Sequence, residues 1–187
     1  MEKTLVPIIM LSFMVAAILP RIIQKLRKID PVGSIGIDKR LFAAGKLALF
    51  GSLVMVPLHT FVANLSFVGQ QDVLKWIGLA LLGFGSALFV FATISLGAVS
   101  LRMGLAKEKT VLRTSGIYTV SRNPMLLGIM IMVVGSGFYV PSPVNWALGI
   151  LVIAVHHRII LAEEQFMRKQ FGRGWIEYSG RVGRYLG

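Results

Sequence analysis

The sequence predicts an all-α integral membrane protein of five transmembrane helices, with its N-terminus outside, its C-terminus cytosolic, and a C-terminal helical hairpin followed by an interfacial tail. The first observation behind this is composition. Of 187 residues, 55% are hydrophobic and the mean hydropathy is +0.74, too apolar for a soluble domain of this length. The second is the length of the apolar runs. A helix needs about 20 apolar residues, about 17 at the least, to cross a hydrocarbon core of about 30 Å. Thr4–Pro20, Leu41–Leu65, Val73–Gly97, Pro124–Val140 and Pro143–Ala162 meet or approach that length. None alternates as the strands of a membrane barrel do. The third is where the charges fall.

The only charged side chains ahead of the first run are Glu2 and Lys3, and no small-x-small cleavage site follows it, so it reads as a span rather than a signal peptide. Arg21, Lys25, Arg27, Lys28, Lys39, Arg40 and Lys46 collect where the first run passes to the second. The connection Ser66–Asp72 has no Lys or Arg. The third run contains "GFGSA" at 83–87, whose Gly83 and Ala87 read as a small-residue packing face and not as a nucleotide loop, because no strand precedes it. Arg102, Lys107, Lys109, Arg113 and Arg122 follow. The fourth run opens on Pro124, which suits a first helical turn where its missing N–H costs little. Pro141–Ser142 again lacks basic residues, and after the fifth run come Arg168, Lys169, Arg173, Arg181 and Arg184. This alternation satisfies the positive-inside rule for five spans.

The net charge of +12, from 20 Lys+Arg against 8 Asp+Glu, is thereby attributed to anionic lipid head groups, and nucleic acid is not expected as a partner. The chain has no cysteine, which excludes disulfides, thiolate metal sites and a Cys nucleophile. His59, His156 and His157 lack metal-ligand spacing, so no metal is expected. With no internal repeat, residues 1–187 read as one membrane domain: three spans in 1–97, then a loop, hairpin and tail in 98–187.

Three stretches carry chemistry. "TSGIYTVSRNPMLLG" (114–128) is a patterned polar loop set directly against an apolar run. At the end of the last span stands Glu163-Glu164. Glu164 has Arg168 at i+4, the favourable order for a surface ion pair. Glu163 has Phe166 and Met167 at those spacings, so its carboxylate needs a partner on another helix or on a ligand. Arg158, between Ala154 and Ala162, is also locally unpaired. The tail spaces Phe166, Phe171, Trp175, Tyr178, Val182 and Tyr185 among basic residues, as in a segment lying on a membrane. Gly172, Gly174, Gly180 and Gly183 argue against one long helix. Such a tail is either an anchor or a lid over a site at the cytosolic mouth.

Taken together, "LRTSGIYTVSRNPMLLG", the "AEE" of the last span and "FGRGWIEYSGRVGRYL" resemble the isoprenylcysteine carboxyl methyltransferase family and the related membrane phospholipid methyltransferases, over about residues 95–187. The resemblance implies binding of S-adenosylmethionine in a cytosolic pocket between loop, hairpin and tail. It assigns Thr110, Val111, Leu112 and Arg113 to the cofactor, with Tyr118, with Asn123, Pro124, Met125 and Leu126 at the core motif positions, and with Glu163. Arg158 and Glu164 become the candidates for the catalytic centre. The sequence departs from the family pattern at Asn123 for His, Leu126 for Tyr and Trp175 for Tyr, and an Asn does not titrate near neutral pH. The implied function is methyl transfer, carboxyl O-methylation favoured, to a lipid-like or prenylated small molecule, in a prokaryotic inner or plasma membrane with the site facing the cytosol. Two alternatives remain: an NADPH-dependent membrane reductase of the sterol and steroid type, and a non-catalytic accessory subunit in which Glu163 and Arg158 pair helices.

Overall fold

The structure, a computed structural model, describes residues 1–26, 36–67, 71–96 and 112–187. Among them the chain forms six α-helices and no strand: α1 (Glu2–Leu26), α2 (Lys39–Phe61), α3 (Asp72–Leu96), α4 (Pro124–Tyr139), α5 (Pro143–Phe171) and α6 (Arg173–Arg181), with a short 3-10 turn at Gly116–Thr119 before α4. The first five helices fall on the five apolar runs. By length and composition α1, α2, α3 and α5 can cross a membrane. The expected fourth span is shorter than that. α4 has 16 residues, about 24 Å at 1.5 Å per residue, against a core of about 30 Å. Most of α4 is buried in protein, so packing rather than bilayer thickness sets its length.

The other boundaries shift for local reasons. α1 runs through Pro20, its expected end, to Leu26. α2 starts early because Asp38 caps it, Oδ1 accepting from the N–H groups of Arg40 and Leu41 at 2.8 and 3.1 Å. α5 continues past Glu163-Glu164 to Phe171 and stops at Gly172, whose φ of 52° few other residues tolerate. The acidic pair therefore sits within a helix and does not end one.

α3 and α4 form the tightest seam. A Cβ added to Gly78 or Gly85 on α3 would lie 2.5 Å from the Tyr139 nitrogen or 2.6 Å from the Gly128 oxygen, and one added to Gly128 or Gly135 on α4 would meet backbone of α3 at 2.7 or 2.8 Å. Backbone here touches backbone, the contact small residues permit between membrane helices. The small-residue face expected at Gly83 and Ala87 is not this seam. Ala87 is exposed and Gly83 faces Ile9 of α1 at an ordinary distance.

Buried polar groups tie the remaining helices. Ser52 Oγ donates to Asn145 Oδ1 at 2.8 Å, Asn145 Nδ2 to the Ser136 carbonyl at 2.9 Å, and Ser136 Oγ to the Ser52 carbonyl at 2.9 Å, which links α2, α4 and α5. Ser12 and Ser86 join α1 to α3 at 2.9 Å. At one end of the bundle Lys75 pairs with Glu2 at 3.1 Å, and the Phe67 N–H donates to the Pro141 carbonyl at 3.0 Å. The two connections without basic residues thus meet at the same end. The loop before α4, the end of α5, α6 and the tail gather at the other.

Candidate active site

The loop reaches its position through hydrogen bonds to the tail. Tyr178 Oη donates to the Tyr118 carbonyl at 2.7 Å. The Arg122 N–H donates to the Gly183 carbonyl at 3.0 Å, and Asn123 Nδ2 and Ser121 Oγ donate to the Arg184 carbonyl at 3.2 and 3.4 Å. Pro124 then opens α4. Behind the loop, Trp175, Tyr178 and Val182 bury themselves together, packed by Leu112, Met167 and Phe171. The Arg122 guanidinium lies 5.6 Å from the Trp175 ring centre, and Tyr185 Oη meets His157 Nδ1 at 2.6 Å. Trp175 and Tyr178 thus turn inward against the loop, and Tyr185 turns against α5. Burial pushes the Tyr178 phenol up to about 12, against the opposing charge of Arg122. Burial, then the charges of Tyr178 and Glu163, push Tyr118 higher, with Arg113 opposing. Both stay protonated near neutral pH and can serve as hydrogen-bond donors, not as bases.

Beneath this cover lies a cavity of about 600 Å3, a usual size for a small-molecule site. It has two parts. Arg21, Lys46, Arg113, Arg122, Glu163 and Glu164 supply the charge of one end. The other is an apolar arm walled by Met10, Phe13 and Met14 of α1 and Phe50, Leu53 and Val54 of α2. Met14 and Phe50 are also largely exposed on the outer surface, so the arm reaches the surface that lipid would cover.

The two glutamates have separate fates. Glu164 accepts from Arg184 Nε at 3.1 Å to each oxygen and from its terminal nitrogen at 2.8 Å, and it pairs with Arg122 at 3.3 Å. Its expected partner one turn away, Arg168, is exposed. A forked, half-buried pair outweighs an exposed i,i+4 contact. No described residue forms a hydrogen bond or ion pair with Glu163. It lines the cavity, and Lys46 is the charged group that acts on it.

Of the residues singled out in sequence, Leu112, Arg113, Tyr118, Asn123, Pro124, Met125, Leu126, Glu163 and Glu164 line this one cavity. Thr110 and Val111 lie outside the described residues. Arg158 does not join them. It is exposed on α5, five residues before Glu163 and so about 140° away around the helix at 100° per residue. Sequence reasoning missed Arg21, Phe42 and Lys46, which enter from α1 and α2. Among the described residues no cluster of His, Asp or Glu could hold a metal ion.

Protein-S-isoprenylcysteine O-methyltransferase B of Arabidopsis thaliana is 26% identical over 138 residues, an overlap of 69% of this chain and 68% of that protein. The sequence pattern of the phospholipid methyltransferase family matches residues 73–174, from the first turn of α3 into α6, which takes in the loop, α4 and both glutamates. The chain belongs to the phospholipid methyltransferase family, and it is a membrane methyltransferase of the isoprenylcysteine and phospholipid type.

Proposed function

We propose that the protein transfers a methyl group from S-adenosylmethionine to a carboxylate on a lipid-like or prenylated acceptor, at the cytosolic face of a five-helix bundle. The observation that carries this reading is the single cavity that joins a charged end, built by the loop, α5 and the tail, to an apolar arm between α1 and α2. The residues fit the cofactor. Glu163 offers an unengaged carboxylate to a cationic group, and Arg122 Nε is buried without a partner. When bound, S-adenosylmethionine supplies an electrophilic methyl group on a sulfonium. Glu163 would hold that charge, Tyr118 would donate a hydrogen bond, and the tail would exclude water that competes for the methyl group.

A carboxylate acceptor is favoured over an amine by two features. Three cations, Lys46, Arg113 and Arg122, face two carboxylates in the cavity, and Glu164 is already engaged by Arg122 and Arg184. An anionic acceptor relieves this excess, whereas an ammonium would add to it. A carboxylate oxygen also bonds to the methyl carbon, as the carbon–sulfur bond breaks, with no proton to remove, so Asn123 in place of a titratable His is no handicap.

Ligand binding tests the reading. S-adenosylhomocysteine should raise the melting temperature of the detergent-solubilised protein by mass action, and NADPH should not. The reverse would favour the reductase, and a response to neither the non-catalytic subunit. Orientation has its own test, helped by the absence of native cysteine. A cysteine at Val144 should react with an impermeant maleimide from outside intact cells, and one at Leu186 only after lysis. Labelling of both from one side would contradict the five-span arrangement.

A further inference from the structure

Arg158, the basic residue singled out on α5, is exposed and lies off the cavity. The cavity-facing stripe of α2 offers another. Phe42, Leu49, Phe50, Leu53, Val54 and Pro57 line the cavity from one face of that helix, and Lys46 lies in the same stripe, one turn after Phe42. It is the one charged residue there. No described residue pairs with it within ion-pair or hydrogen-bond distance, its nearest aromatic contact being the Phe42 ring at 5.2 Å. The charges that act on it are Arg21, a like charge, and Glu163. On α1 the matching stripe, Met10 to Ile18, likewise gives way to a basic residue, Arg21. Both walls of the apolar arm therefore change from apolar to cationic at the same end, next to Glu163.

A lysine set in an apolar wall, with the nearest opposite charge, Glu163, beyond ion-pair distance, is costly unless a ligand supplies a closer one. We propose that Lys46 binds the anionic head of the acceptor where the apolar arm meets the charged end. α2, which lies outside the matched residues 73–174, then selects a long-chain anion over a long-chain cation. This rests on the methyltransferase reading. The division of labour is simple: Glu163 faces the positive cofactor, Lys46 faces the negative acceptor, and the apolar arm takes the chain.

Binding of two probes to the full-length protein with S-adenosylhomocysteine present tests it. N-acetyl-S-farnesyl-L-cysteine carries a carboxylate, and its methyl ester has the same chain without the charge. The native protein should bind the acid more tightly than the ester. Lys46→Met should weaken the acid by roughly tenfold or more and leave the ester unchanged, the size of a lost charge-assisted hydrogen bond. Lys46→Arg should keep most of the preference. Affinity for S-adenosylhomocysteine, which also reports that the variants are folded, should be unaltered in both. The proposal is overturned if the native protein binds acid and ester equally or neither, or if Lys46→Met leaves the acid affinity intact. It is also overturned if that variant loses S-adenosylhomocysteine, because Lys46 would then belong to the cofactor. Failure of the native protein to bind S-adenosylhomocysteine is a different result. It strikes the methyltransferase reading, while a Lys46-dependent preference for the acid would still support the anion site.

Discussion

The α3–α4 seam and the α1–α2 wall are both apolar and both helical, yet they are built on opposite rules. At the seam, glycines bring backbone against backbone, leaving no space for even a methyl group. Along the wall, Met14, Ile18, Phe50 and Val54 line a cavity, and three of them, Met14, Ile18 and Phe50, also face outward. The seam fixes where α4, and hence the loop ahead of it, must stand. The wall leaves room for a chain to enter. Hydropathy alone does not tell the two apart, because lipid and protein interior are equally apolar. The size of the side chains does.

Three substitutions probe the contrast. Gly85→Leu should have the largest effect, since its added atoms would fall on the Gly128 oxygen and the Met132 nitrogen. Overpacking against backbone that cannot yield should cost more than about 3 kcal/mol, read as loss of a folded, monodisperse species in detergent. Glu164→Gln should come next. It weakens the forked contact with Arg184 and the pair with Arg122, and a charged hydrogen-bonded group of this kind is worth about 1.5–3 kcal/mol, seen as a lower melting temperature without ligand. Phe50→Ala should have the smallest effect on the fold. The residue is 69% exposed, and such changes usually stay within about 0.5 kcal/mol. A Phe50→Ala protein that melted as badly as Gly85→Leu would mean that the wall is core and that the arm is closed.

The sequence revealed much of this, for reasons that differ residue by residue. The five apolar helices were readable because a helix that meets lipid or a protein interior must be apolar along its length. Glu163 was readable because its helical neighbours left it without a partner, and it faces the cavity. Glu164 was misread for the same local logic: Arg168 was the nearest candidate in helical phase, but Arg184, twenty residues on, folds back through the turn at Gly172 to take it. Gly83 and Ala87 were chosen for their spacing, whereas the seam uses Gly78 and Gly85, whose register depends on Gly128 and Gly135 of another helix. Arg21 and Lys46 gave no signal beyond the count of loop cations, because their role comes from which helices meet around the cavity. Contacts between helices are what periodicity along one helix does not contain.

If the cavity, and not proximity in sequence, defines the site, the side chains that line it govern ligand affinity. Titration of S-adenosylmethionine into the native protein, Glu163→Gln, Glu164→Gln and Arg158→Gln measures it directly. Glu163→Gln should weaken binding by about one to two orders of magnitude, as a charge-assisted contact of about 1.5–3 kcal/mol requires, with its melting temperature without ligand little changed. Glu164→Gln should lose stability more than affinity, and Arg158→Gln should lose neither. If Arg158→Gln cost as much affinity as Glu163→Gln, or if Glu163→Gln bound like the native protein, the cavity would not be the cofactor site and the account would fail.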